Sequence, residues 1–194
     1  MERALPIDAS RTSQSVAVSL DDVDLGPFLY LACSRLGVLS VFDDLKYDRA
    51  DADMLSPAMR QHAIKRLAAL GFRQTSGTVL EQEGSGVRCL IPKFHALGAS
   101  PFDITRYTPK NEGDFYLLTP TQTACAFIDN CALDDAVARI KDLIARQPIN
   151  LYRLMDYLER KPAHQDFLKA IGHLKYVQRT AIESEPLKYR RALG

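Results

Sequence analysis

The residues best suited to recognition chemistry sit in one short stretch, "SPAMRQHAIKRLAALGF", Ser56 to Phe72. Arg60, Gln61, Lys65 and Arg66 there carry guanidinium, carboxamide and ammonium groups. Arg pairs bidentately with guanine, Gln pairs bidentately with adenine, and Lys meets a phosphate as a point charge. Arg73 and Arg88 follow in the next twenty or so residues and extend the cationic set. Double-stranded DNA is therefore the partner these residue types fit best.

Catalytic chemistry has less to work with. His62, His95, His164 and His173 are scattered, and none falls in a metal or nucleophile motif. The "GSG" of Gly84 to Gly86 is too short for a phosphate-binding loop and lacks the Lys and Ser/Thr that would follow one. Asp103, Arg106, Lys110 and Asp114 gather charge in "FDITRYTPKNEGD", but loops between strands are commonly charged for solubility. No catalytic residue, metal ligand or cofactor is expected. Cys33, Cys89, Cys125 and Cys131 lie in apolar runs without CxxC pairing and read as buried free thiols.

The elements that must carry these residues can be read from caps and periodicity. In the opening stretch Ser56 is a good N-cap, Pro57 suits the first helical position, and Gly71 supplies a stop. Ala63, Ile64, Leu67, Ala68 and Leu70 form its apolar stripe, with Arg60, Gln61, Lys65 and Arg66 opposite. Before it, "DDVDLGPFLYLACSRLGVL" sets Leu25, Phe28, Leu29, Ala32 and Leu36 at helical spacing and predicts a helix ending near Gly37. After it, "TVLEQ" and "VRCLIP" flank "EGSG" and predict a hairpin.

Helix, a stretch with room for a second helix, helix, hairpin: over Leu25 to Pro92 this order resembles the winged-helix arrangement of helix-turn-helix proteins. The resemblance is one of pattern. It implies that Ser56 to Gly71 holds the recognition-helix position, with Arg60, Gln61, Lys65, Arg66, Arg73 and Arg88 as the nucleic-acid contacts. A helix after a strand ending in "LTP", Leu118 to Pro120, is similar to the dimerising helix that follows the wing in such regulators. The acidic loop directly before the Ser56 to Gly71 helix, and Glu81 and Glu83 in the supposed wing, weigh against DNA, since phosphate neutralisation supplies most of the affinity.

Two β-like runs, "FDITRYT" and "FYLL", flank Pro109, Asn111 and Gly113 and predict a second hairpin or a return strand beside the first. From Thr119 onward the chain reads as helical. Thr119 or Thr121 can cap and Pro120 can open a helix packed by Ala124, Phe127 and Ile128. Three further stripes follow: Val137, Ile140, Leu143 and Ile144; then Leu151, Leu154, Met155 and Leu158; then Phe167, Leu168, Ile171, Leu174 and Val177. Pro148 and Pro162 separate them. The expected architecture is α+β: a flexible arm over 1–20, a winged-helix-like unit over 21–118, and a helical region over 119–194 that packs on it or makes a homodimer.

Charge is distributed unevenly along these 194 residues, whose net charge is only +1. Ten acids face five bases in residues 1–54, nine face eleven in 55–152, and five face nine in 153–194. The run "DDLKYDRADAD", Asp43 to Asp53, reads as a solvated loop or a surface for a basic protein partner. Lys169, Lys175, Arg179, Lys188, Arg190 and Arg191, interleaved with Tyr176 and Tyr189, form a basic tail that suits nucleic acid or simply follows the helix dipole. No apolar run approaches the roughly 20 residues that span a bilayer, and the first fifteen residues lack the apolar middle of a secretory signal. A cytoplasmic protein with no membrane partner is expected. The two functional expectations are a DNA-binding regulator and, as alternative, a non-catalytic protein-interaction adaptor on a winged-helix-like or other α+β fold.

Overall fold

A computed structural model describes residues 20, 25, 28–41, 55–91, 111–159, 161–162 and 164–185. The acidic run Asp43 to Asp53, "FDITRYT" and Lys188 to Arg191 lie outside the described residues. The architecture is α+β: six strands in one mixed sheet and five helices.

The first described element is a hairpin where a helix was expected. β1 (Leu29–Cys33) and β2 (Val38–Val41) pair antiparallel around the turn at Ser34 to Gly37. The reason lies in the sequence. "FLYLAC" and "VLSVF" are apolar at nearly every position, so they satisfy a helical period as readily as a β one. All four residues of β2 are buried because the sheet is covered on both faces, the situation in which strands lose their polar alternation.

α1 (Pro57–Ala68) forms as its caps predict, with Ser56 Oγ accepting from the Met59 N–H at 3.2 Å. β3 (Phe72–Ser76), β4 (Val79–Gln82) and β5 (Arg88–Leu90) then meander antiparallel. The β4–β5 hairpin is the expected one, but it is three strands wide. After Phe72, β3 is solvent-exposed along its length and carries no apolar alternation to announce it.

β6 (Phe115–Leu118) completes the sheet. It runs parallel to both β2 and β5, giving the order β1-β2-β6-β5-β4-β3. The "FYLL" run is thus a return strand beside the first hairpin, and it joins that hairpin to β1–β2. At its entry Gly37 adopts φ +63°, and its carbonyl accepts from the Tyr116 N–H at 2.6 Å. A Cβ at Gly37 would lie 2.5 Å from the carbonyl oxygen of Asp114.

Alternate residues point to two cores. Leu29, Leu39, Val41, Leu80, Cys89 and Leu117 face α1 through Met59, Ala63 and Leu67. Val38, Leu90, Tyr116 and Leu118 face the helical layer of α2 (Pro120–Asn130), α3 (Leu133–Arg146), α4 (Leu151–Leu158) and α5 (His164–Ser184). Thr119 and Gln122 close a capping box on α2, which opens on Pro120 as expected. The expected stripes of α3 to α5 turn inward, except that Leu168 remains 37% exposed. Among the described residues no helix is long and apolar enough to cross a membrane.

Gly37→Ala combines a strained φ with a backbone clash, so it should cost about 2 to 3 kcal/mol in urea unfolding. Gly84→Ala has a comparable φ of +89° but open space around the added methyl, and should cost about 1 kcal/mol. Equal costs at the two positions would show that the contact with Asp114 is not what fixes β6.

Candidate nucleic-acid interface

α1 buries Met59, Ala63 and Leu67 against the sheet. That orientation sets the opposite side of the helix toward solvent, where Gln61 and Lys65 are exposed and Arg60 is half-buried. Arg66 lies at the flank, and its Nε donates to the Leu25 carbonyl at 2.7 Å. Its stem and head therefore help hold an N-terminal residue against α1.

The turn out of α1 places β3 beside the helix. Gly71 sits at φ +82°, its carbonyl accepts from the Glu83 N–H at 3.1 Å, and Gln82 Nε2 donates to the Leu70 carbonyl at 3.0 Å. Arg73 on β3 is exposed and pairs with Glu83 at 2.7 Å. A surface pair of this kind holds weakly and can exchange partners.

Arg88 has a different position. Its side chain is only 17% exposed, and Nε and Nη2 donate to the two carboxylate oxygens of Asp114 at 3.0 and 2.6 Å. The same carboxylate accepts from the Asn111 N–H at 2.6 Å. This hydrogen bonding raises the Arg88 guanidinium further above its ordinary value. Arg88 is thus spent on joining β5 to the entry of β6.

Of the six predicted contacts, Gln61 and Lys65 share the exposed face of α1, Arg60 lies half-buried at its flank, and Arg73 is exposed on the adjoining strand. From residue 54 to residue 80 the chain carries four cations and no acid. The nearest acids in sequence beyond it, Glu81 and Glu83, belong to β4 and the following turn. No protein-family model, curated protein or solved structure matches the chain.

Elsewhere the basic tail is partly neutralised. Lys169 lies 3.7 Å from Asp166, and Arg179 pairs with Glu183 at 2.8 Å. Tyr152 and Tyr176 stand 67% and 68% exposed on α4 and α5, with Lys175 Nζ 5.9 Å from the Tyr152 ring centroid. None of the four cysteines is in a disulfide; Cys33, Cys89 and Cys125 are buried and Cys131 is half-buried. Burial pushes the Cys89 thiol up to about 12. Among the described residues no cluster of side chains has the makings of a metal site.

Sequence reading missed a second polar feature. A groove of about 140 Å³ runs between β1 and α3, lined by Tyr30, Leu31, Ala32, Phe127, Arg139 and Arg146 among others. The Arg146 guanidinium lies 4.5 Å from the Tyr30 ring centroid, and Arg139 lies 5.8 Å from that of Phe127. Burial pushes the Tyr30 phenol up to about 12. Sequence signal for the groove was confined to Asp and Arg at spacing four and seven on α3, because β1 read as helix.

Arg88→Ala leaves a nearly buried carboxylate without its guanidinium and should lower stability by about 3 kcal/mol. The folded fraction should keep full affinity for any ligand of α1. A stability loss below about 0.5 kcal/mol in urea would contradict the structural role given to the Arg88–Asp114 pair.

Proposed function

We propose that the protein is a DNA-binding regulatory protein that sets the outer face of α1 against the duplex. In this reading Arg60 and Gln61 turn to base edges in the major groove, Lys65 meets a phosphate, and Arg73 on β3 supplies a second phosphate contact. α1 takes the recognition-helix place of a winged helix and β4–β5 the place of its wing, on a wider sheet and with the β1–β2 hairpin standing where the pattern's first helix was expected.

The observation that carries the reading is the acid-free run of α1 and β3, four cations and no acid within residues 54–80 between Asp53 and Glu81. A helix facing solvent for solubility alone usually mixes both signs. One of a single sign attracts a polyanion over a Debye length of about 8 Å at physiological salt. The pairing of Arg73 with Glu83 is loose enough to yield to phosphate.

A protein-interaction adaptor is the second reading. Tyr152 and Tyr176 favour it, since aromatic side chains held in solvent are enriched where proteins meet.

Arg60→Ala combined with Lys65→Ala should weaken binding to random-sequence duplex by about 100-fold, as two lost contacts of 1 to 3 kcal/mol each imply. The melting temperature should stay close to that of the parent, because neither side chain is core. Unchanged affinity in fluorescence anisotropy would remove α1 from the interface and leave the adaptor reading ahead.

A further inference from the structure

The two edges of the sheet are treated differently. β3, at one end, is exposed and polar from Arg73 to Ser76, and its only apolar side chain is tucked inward. β1, at the other, reads Leu-Tyr-Leu-Ala-Cys, has no charge or proline, and keeps Tyr30, Leu31 and Ala32 half-buried. A bulge between Leu31 and Cys33 shortens the regular edge, and among the described residues no strand pairs with it on its outer side. An apolar edge of this kind is a pairing site unless something lies against it.

α3 stands beside that edge across the groove, and its charges follow a pattern: Asp135, Arg139, Asp142, Arg146. If a second α3 runs antiparallel with a twofold axis between residues 140 and 141, Asp135 of one copy faces Arg146 of the other. The same axis sets Arg139 against Asp142. Each pair occurs twice, and both demand the same centre. Asp135 and Arg139 pair with each other within the chain at 2.9 Å, a part-exposed i,i+4 pair of the kind that exchanges partners, while Arg146 lies over the Tyr30 ring and neither it nor Asp142 has an ion pair among the described residues. Ala138 and Ala145 on the exposed side leave room for close approach.

We propose that the β1 edge and α3 together form a twofold interface with a second copy of this chain. The interface is self-complementary in the way a closed dimer requires, since the same patch serves both partners. It differs from dimerisation through the "LTP" helix, α2, whose residues from Pro120 to Ile128 are all buried within the chain. Edge-to-edge pairing would also place both α1 helices on one side of a continuous sheet, the disposition a two-site DNA reader uses. The inference does not depend on DNA binding.

The test is sedimentation equilibrium on the full chain with two charge reversals. The parent should be dimeric at micromolar concentration. Arg146→Asp alone faces acid with acid, and Asp135→Arg alone faces base with base, so each should dissociate at least about tenfold more readily. An equimolar mixture of the two variants restores opposite charges at both pairs and should return to dimer. A monomeric parent across the concentration range would overturn the proposal. So would variants that dimerise like the parent, or a mixture that stays monomeric while both variants retain the parent's circular dichroism.

Discussion

β6 is the constraint on which the rest of the molecule depends. It is a four-residue strand with two parallel neighbours, and without it the sheet falls into a two-stranded hairpin and a three-stranded meander. A two-stranded hairpin such as β1–β2 is marginal in water on its own. Two contacts fix its entry: the Arg88–Asp114 pair ties it to β5, and the close approach of Gly37 to Asp114 ties it to the turn between β1 and β2. Both hold the backbone just before Phe115. Tyr116, Leu117 and Leu118 then feed alternate cores, so one short run links the α1 face to the four-helix face.

The two faces have different consequences. Among the described residues α1 is the one helix on its face of the sheet, with Gln61 and Lys65 exposed on its outer side. On the other face four helices cover one another, and α2 is buried along most of its length. What this layer leaves outside is the flank of α3 next to β1 and the aromatic tips of α4 and α5. The candidate recognition surface and the candidate dimer surface therefore lie on separate parts of the sheet, and each can be altered without the other.

The sequence made the helices legible wherever a cap was chemical. Ser56 before Pro57, and Thr119 with Gln122 around Pro120, mark their helices by hydrogen bonds that few other residue types can make. The stripes of α3, α4 and α5 were equally plain, because one side of each faces solvent. Strands were harder in two opposite ways. β1 and β2 are apolar on both faces, so no alternation distinguished them from a helix, and β3 is polar almost throughout, so it resembled a loop. In the site, Gln61 and Lys65 could be set outside by periodicity alone. That Arg88 turns to a carboxylate 26 residues away could not be seen, since the partnership exists only once β6 has entered the sheet.

The central claim is that α1 and β3 form a phosphate-contacting surface. Its most direct test is the salt dependence of binding between the purified full chain and random-sequence duplex DNA. With Lys65 and Arg73 each displacing counterions, the logarithm of the association constant should fall against the logarithm of salt with a slope of about −2 per copy bound. Absence of binding even at low salt would contradict the claim.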